Sequence, residues 1–493
     1  MQSFKLKDYN LGDTIAAIAT FPSLSALGVI KVSGKKAFPI ISKIFLPRRK
    51  KDMRKVKTYT LHYGWIMEKS KVPALPAGRK SQKSKMGNQK IRTMNHELRT
   101  TNYIVDEVLV SVMRAPNSYT REDVVEISSH GGILVSNKIL EIILREGARL
   151  ALPGEFTYRA LAKGRIDLLQ AESILDIVEA RSEEGLKAAA MQLSGESSQK
   201  IKKIKDEIKE VFVETESSIN FPEDDTSICL TQAKRKIKVI EKKINQFLQG
   251  GQEAKILKEG TRCVICGKVN TGKSTLFNRL LGEERVIVSN YAGTTRDVIE
   301  ETINIRGIPL RIYDTAGILE PKDFIAKEAI EKSQAALGGA DLVILLLDGS
   351  KSLGKDDYFL LEKVRNKNTI LAVNKIDLPQ RIKNISKFKG YRVGLSALKN
   401  TGIEDLEEAI FKSVYKKGLH RQDMVFLSQY QRQSLRAAGD NIVEARNFLD
   451  KGHTIDFVNL SLKSSLDNLG KLTGEVLTEE ILEGIFSNFC IGK

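Results

Sequence analysis

The spacing of apolar positions changes along the chain, and each change marks a different kind of element. Short apolar runs bounded by turn residues predict strands at residues 14–19, 28–32 and 107–112. A helical rhythm follows at 135–144 and another short run at 147–151, so residues 1–163 read as a small α+β domain. From 164 to 257 the pattern is helical: Ile201, Ile204, Ile208, Val211 and Ile219 recur near the 3.6-residue period among many Lys and Glu. The rhythm resumes after 419 through Leu427, Leu435, Ile442, Val443 and Phe448. The simplest reading is one helical domain built from segments 164–257 and 419–493, with another domain inserted between them.

That insert, residues 258–418, alternates strands with helices, and its strands are predicted at 262–266, 310–313, 341–347 and 369–373. The run at 342–347 is apolar without alternation, as a parallel strand buried on both faces requires. The pattern predicts a doubly wound α/β domain with its ligand at the C-terminal ends of the strands.

A length of 493 residues suits about three domains, and 41% apolar with 28% charged residues is ordinary for a soluble chain. No apolar run approaches the roughly 20 residues of a membrane span. The first residues, MQSFKLKDYNLGDT, lack the apolar core of a signal peptide, and four cysteines fit a reducing compartment, so a cytoplasmic protein is expected. The net charge of +18 suits a polyanionic partner. Part of the excess lies in a basic insertion, residues 68–102, rich in Lys, Arg, Ser, Gln and Asn and broken by two prolines. It reads as a flexible loop.

The chemistry begins at Gly267-Lys268-Val269-Asn270-Thr271-Gly272-Lys273-Ser274, directly after the apolar run 263–266. This is the phosphate-loop pattern in its strand–loop–helix context: glycines let backbone N–H groups turn onto phosphate oxygens at a helix N-terminus. Lys273 would neutralise the β/γ-phosphates, and Ser274 would offer its hydroxyl to Mg²⁺. Further on, Asp314-Thr315-Ala316-Gly317 follows a strand and supplies a carboxylate for the Mg²⁺ shell. Asn374-Lys375-Ile376-Asp377 ends another strand, and its Asp can accept two hydrogen bonds from guanine that adenine cannot offer. Ser396-Ala397 follows, where a backbone amide would reach guanine O6. Together these predict GTP.

Thr295, in the run 288–297, is the natural second hydroxyl ligand of Mg²⁺. Ile318, after the Gly317 turn, cannot orient water. Asn270 either braces its loop or, facing carbonyls of residues 289–291, holds a monovalent cation beside the phosphates. Cys263 and Cys266 have the spacing of half a zinc or redox site but lie on a strand with no second pair nearby, so they read as buried. Cys229 has no visible partner. Cys490, in the terminal Phe489-Cys490-Ile491-Gly492-Lys493, belongs either to a packed tail or to an exposed thiol in a cleft.

GTTRD at 293–297, DTAG, NKID and the terminal FCIGK together resemble the tRNA modification GTPase family MnmE, also called TrmE. DTIAAIAT (13–20), APNSYTREDVVEISSHGG (115–132), PGEFTYRALAKGRIDLLQAE (153–172) and LTGEVLTEEILEGIFSNFCIGK (472–493) extend the resemblance over nearly the whole chain except the basic insertion. It implies an N-terminal α+β folate-binding-like and dimerisation domain, a discontinuous α-helical domain and an inserted α/β P-loop GTPase (Ras-like) domain.

The implied function is GTP hydrolysis within a complex that modifies C5 of the tRNA wobble uridine. An FAD-dependent MnmG-like partner takes part, and a tetrahydrofolate derivative (5,10-methylene or 5-formyl) brings the one-carbon unit. The product carries an aminomethyl or carboxymethylaminomethyl group, and a homodimer is implied. The GTP contacts implied are Asn270, Thr271, Gly272, Lys273, Ser274, Thr275, Ser289, Asn290, Tyr291, Ala292, Gly293, Thr294, Thr295, Asp314, Thr315, Ala316, Gly317, Asn374, Lys375, Ile376, Asp377, Ser396, Ala397 and Leu398. Ser274 and Thr295 correspond to the Mg²⁺ ligands, and Asn270, Ser289, Tyr291 and Thr294 to those of K⁺. Folate would be held by Lys31, Glu126, Arg165 and Lys493.

This chain departs from the family in three places. Residues 21–27 replace a glycine-rich turn, the insertion at 68–102 is not typical, and Ala326 stands where the family has a water-orienting Glu. Glu328 or Glu320 would have to take over, or turnover is slow. Cys490 and Glu328 are the remaining candidates for direct chemistry. The competing reading is an RNA-binding, ribosome-assembly or regulatory GTPase, which would need neither a folate pocket nor an FCIGK tail.

Overall fold

Strands β1 (Ile15–Ile18), β2 (Leu27–Ser33), β3 (Phe45–Pro47), β4 (Thr60–Val72), β5 (Arg99–Met113), β6 (Val124–His130) and β7 (Arg149–Leu150) join in the order β3-β4-β5-β6-β2-β1-β7. The coordinates, a computed structural model, describe residues 9–20, 24–72, 99–220, 226–283, 300–313, 337–382, 388, 390–415, 424–475 and 478–492. They form two units, Met1–Asp167 with Leu477–Lys493, and Leu168–Val476.

Alternation along the strands gives the first sheet two unlike faces. One row across the register, Ala16, Val32, Val125 and Val112, is fully buried, as is the next, Ile30, Ile127 and Val110. Helices α1 (Ala37–Ile44) and α2 (Ile133–Arg145) cover this face with Phe38, Ile41, Ile139 and Ile143. The opposite face carries the row Lys31, Glu126, Ser111 and Leu61, and beside it Val29, Ser128, Leu109 and Tyr63. Helix α3 (Glu155–Ala162) covers that face at β1, where Phe156 packs on Ile15 and Ala17. Toward β4 it stays open: Leu61, Tyr63, Leu109 and Leu46 are all exposed.

The loop expected over 68–102 is corrected at both ends. Residues 68–72 continue β4 and 99–102 begin β5, paired from Glu68↔Tyr103 to Val72↔Arg99. The ladder satisfies the backbone whatever the polarity of the side chains, so composition misled the reading there. Glu68 also binds Lys138 and Arg145 of α2. Residues 73–98 lie outside the described set.

In the second unit the periodic segments become α4 (Leu168–Glu179), α5 (Glu183–Leu193), α6 (Glu196–Asn220) and α7 (Thr226–Glu259). The inserted α/β part is threaded before helices α11 (Gln429–Asp450) and α12 (Ile455–Thr473). One core holds Ile201, Ile204, Ile208 and Val211 together with Leu435, Ile442 and Leu462, so helices before and after the insert share a core, whereas residues 477–493, expected in the helical segment 419–493, belong to the first unit instead. Among the described residues, no helix is long and apolar enough to cross a membrane.

The insert contains β8 (Thr261–Cys266), α8 (Lys273–Glu283), β9 (Glu300–Ile305), β10 (Ile308–Tyr313), β11 (Leu342–Asp348), α9 (Lys355–Lys363), β12 (Thr369–Asn374), β13 (Tyr391–Leu395) and α10 (Ile403–Val414). Its sheet runs β13-β12-β11-β8-β10-β9 and is parallel except for the β9–β10 pair. Residues 342–347 of β11 are completely buried, as their unbroken apolar run predicts.

Where α7 runs into β8, a polar cluster lies among the packed helices. Lys258 forms an ion pair with Asp176 of α4. One turn earlier on α4, Glu172 is half-buried as a residue, but its Oε2 is buried without a hydrogen-bond partner. Burial, seconded by the Asp176 carboxylate, pushes the Glu172 carboxyl up to about 8.

Candidate functional site: a phosphate loop and an open sheet face

The phosphate loop leaves β8 between β11 and β10, at the C-terminal edge of the parallel strands. Its turn depends on backbone angles that side chains resist: φ is +155° at Gly267, +64° at Asn270 and +97° at Gly272. Space is equally restrictive. A Cβ at Gly267 would stand 2.4 Å from the Leu346 carbonyl, and one at Gly272 2.3 Å from Asn374 Nδ2.

The Lys273 amine donates to the carbonyls of Gly267 (3.1 Å) and Lys268 (2.8 Å), so it is folded over the loop it serves. Ser274 and Thr275, at the exposed start of α8, line a cavity of about 410 Å³ with Asn278, Arg279 and Gly282. An exposed hydroxyl at a helix N-terminus, beside a lysine, fits a Mg²⁺–phosphate pair, and Ser274 is the residue here that would hold the metal.

Asn374 is almost fully buried and acts as a brace. Its Nδ2 donates to the Thr271 carbonyl at 2.7 Å, and its Oδ1 accepts from the Ala397 amide at 3.0 Å. Lys375, at φ +65°, donates to the Asn270 carbonyl (2.9 Å) and to Asp348 (2.7 Å). Burial opposes the charge on Asp348, but the bonds from Lys375 and Ser350 outweigh it and hold its carboxyl below the usual range. Asp377 is exposed, and a hydrogen bond from Ser396 together with nearby lysines keeps it ionised to lower pH than an ordinary Asp. An ionised acceptor beside exposed Ile376 and Leu398 suits the N1–H and 2-amino donors of guanine.

Asp348 was not singled out from the sequence. The available signal is its position, an acidic residue ending the most apolar strand on the ligand side of the sheet.

Asn270 is exposed on the loop, but its proposed cation partners Ser289, Tyr291 and Thr294 lie outside the described residues. The same holds for Asn290, Ala292, Gly293, Thr295, Asp314, Thr315, Ala316, Gly317, Glu320, Ala326 and Glu328. Cys263 and Cys266 are buried on β8, and burial pushes the Cys266 thiol up to about 12, so neither is a thiolate donor. The side chain of Cys229 is outside the described set.

In the first unit, register sets Lys31 opposite Glu126, with Nζ 3.9 Å from Oε1 and both about one-third exposed. Arg165 stacks its guanidinium 4.7 Å from the centre of the Tyr119 ring. The terminal segment packs in this same unit. Phe486 and Phe489 are buried, Gly154 donates to the Cys490 carbonyl at 3.3 Å, and Gly492 lies so close to β1 that a Cβ would stand 2.6 Å from the Ile18 carbonyl. The Cys490 side chain is nevertheless exposed, so packed tail and exposed thiol coexist. Lys493 lies outside the described residues.

Beneath this surface, fully buried Arg159 binds Glu122 and Glu155 at 2.9 Å each and the carbonyls of Asp13 and Asn10. The sequence reading did not isolate it, because a buried arginine looks like any helical surface charge until its partners are known.

Residues 168–490 match the MnmE helical domain, and residues 14–165 match the GTP-binding protein TrmE N-terminus. The chain is 40% identical to the tRNA modification GTPase MnmE of Thermoanaerobacter pseudethanolicus over 492 residues, covering 98% of this chain and 99% of that one. It is 39% identical to the MnmE of Clostridioides difficile, covering 98% of this chain and all of that one. Among solved structures it is similar to Aquifex aeolicus Era bound to GDP and AlF4⁻, with 28% identity, 37% of this chain and 66% of that chain covered, and a TM-score of 0.26. Two family models that together span most of the chain, and about 40% identity over nearly its full length, place the chain in the MnmE (TrmE) family of tRNA modification GTPases.

Proposed function

We propose that this chain hydrolyses GTP to drive modification at C5 of the wobble uridine of tRNA. The observation that carries the nucleotide half is the brace Thr271–Asn374–Ala397, which ties the phosphate loop to the segment beside the base-reading Asp377. Phosphate and base sites are thereby held in one register. Ser274 and Thr295 would hold Mg²⁺, and Asn270 with Ser289, Tyr291 and Thr294 would hold K⁺, which would supply positive charge beside the phosphates. Ala326 cannot orient water, so either Glu328 or Glu320 takes over that task or turnover is slow relative to a chain with Glu at position 326.

The modification half is supported by the first unit. Glu126 would hold the amino-pyrimidine edge of a tetrahydrofolate derivative, and Lys31, Arg165 and Lys493 would hold its carboxylates. Bound folate supplies the one-carbon unit, and the exposed Cys490 stands on the tail packed in the same unit. The open row of Leu46, Leu61, Tyr63 and Leu109 suits a homodimer, since a contiguous apolar face marks an interaction surface. A flavin-dependent MnmG-like protein completes the complex, tRNA is the polyanion that the +18 charge suits, and the site of action is the cytoplasm.

The deciding experiment is nucleoside analysis of tRNA from cells lacking this chain. Loss of the C5 substituent at the wobble uridine is expected; an unchanged uridine sinks the reading. In vitro, hydrolysis is expected to run faster in K⁺ than in Na⁺, and equal rates would remove the cation role from Asn270.

A further inference from the structure

Lys268 is the second residue of the phosphate loop, where a cation invites assignment to phosphate. The fold turns it the other way. Its Nζ lies 2.7 Å from Oδ2 of Asp357 and 3.9 Å from Asp356, both in the first turn of α9. Asp357 is only 6% exposed. The same Oδ2 accepts from the Gly354 amide at 2.8 Å, closing the start of the helix. Gly354 is also what admits the ammonium group, since a Cβ there would stand 2.9 Å from Lys268 Nζ.

The other end of Lys268 reaches the catalytic amine. Its carbonyl accepts from Lys273 Nζ at 2.8 Å and from Thr271 Oγ1 at 2.9 Å. A single residue therefore links a buried carboxylate on α9 to the lysine that neutralises phosphate. We propose that Lys268 and Asp357 form a positioning pair: the ion pair pins the first half of the phosphate loop, and the pinned Lys268 carbonyl aims Lys273 at the β- and γ-phosphates.

The pair works by restraint. Val269 and Asn270 are exposed, and Asn270 has a left-handed backbone, so this half of the loop has little side-chain packing of its own. A charge-assisted bond to a nearly buried carboxylate is the strongest tether available to it. Asp357 also closes α9 through its bond from the Gly354 amide, so removing the Lys268 side chain leaves that cap in place. The pair takes no part in chemistry; it acts through Lys273.

The inference rests on the GTPase reading, and its test uses the full chain with fluorescent GTP, GDP and GMP. Lys268→Met should weaken GDP and GTP binding about tenfold and leave GMP binding unchanged, because GMP lacks the β-phosphate that Lys273 meets. Lys268→Arg, which keeps a cation in reach of Asp357, should recover most of the loss. Adding Asp357→Asn to Lys268→Met should cost no further nucleotide affinity, since the bond is already gone. Equal losses for all three nucleotides, additive losses in the double variant, or no loss at all would each overturn the pair's role. Thermal melting of each variant separates these outcomes from unfolding: Lys268→Met leaves a nearly buried carboxylate unpaired and should melt below the parent chain, whereas the double variant, which removes that charge, should melt closer to the parent and still bind GDP and GTP weakly. A parent chain that binds no guanine nucleotide overturns the GTPase reading and the inference together.

Discussion

The phosphate loop and the open face of the first unit's sheet offer polar groups to a ligand in opposite ways. In the loop, the groups are mostly backbone amides and carbonyls, set by positive φ at Gly267, Asn270 and Gly272. On the sheet, Lys31 and Glu126 are side chains on neighbouring strands, 3.9 Å apart and partly in water. The loop geometry is enforced by sterics and by buried braces such as Asn374, so small changes should be ruinous. The sheet geometry is enforced only by register, and its side chains can adjust.

That contrast can be broken by experiment. The largest effect is expected at Gly272→Ala, whose Cβ would fall 2.3 Å from Asn374 Nδ2 at a φ of +97°. Both strain and collision displace Lys273, and GTP hydrolysis should fall by about 100-fold or more, on the scale seen for loss of one preorganised charge-stabilising group. Steady-state phosphate release measures it, and near-parental activity would show that the loop is softer than its geometry implies.

Next comes Glu172, which belongs to neither the phosphate loop nor the sheet and should alter stability rather than either site. The carboxyl of Glu172 titrates near 8 in the fold against an ordinary 4.5. Between those values the folded chain keeps a proton that the unfolded chain has released. Stability therefore falls as pH rises through this window, by about 1.4 kcal/mol per pH unit for one proton, and levels off above it. Glu172→Gln should flatten the profile and melt higher than the parent at pH 8, with little difference near pH 5. Parallel pH profiles for the two chains would show that Glu172 is charged in the fold.

The smallest stability effect is expected at Glu126→Gln. A pair about one-third exposed at 3.9 Å contributes at most about 1 kcal/mol to folding, so the melting temperature should barely move. Binding of a tetrahydrofolate derivative should nevertheless fall about tenfold, the worth of one charge-assisted hydrogen bond. Titration calorimetry decides it; unchanged affinity would move the folate site off this face.

Local periodicity carried much of the architecture. The unbroken apolar run 342–347 became a buried parallel strand, and Ile201, Ile204, Ile208 and Val211 became one face of α6. Strands β4 and β6 were missed because their buried residues, such as Ile66, Val125 and Ile127, alternate with polar ones and leave no unbroken apolar run, and the ends of the basic insertion were misread because a ladder partner holds them. In the nucleotide site the run 267–274 was legible as it stood, but Asp348 and Asp357 gained meaning only from their partners Lys375 and Lys268.

The sequence by itself determined the phosphate loop, the parallel sheet that carries it and the discontinuous helical domain. Each depends on backbone angles or burial patterns that neighbouring residues must satisfy together. Only the tertiary structure decided that Asn374 braces rather than reads, that Lys268 faces α9, that Lys31 meets Glu126, and that the Cys490 tail packs in the first unit. Those depend on which distant side chains the register and packing bring within hydrogen-bond reach, and no local pattern records a distance.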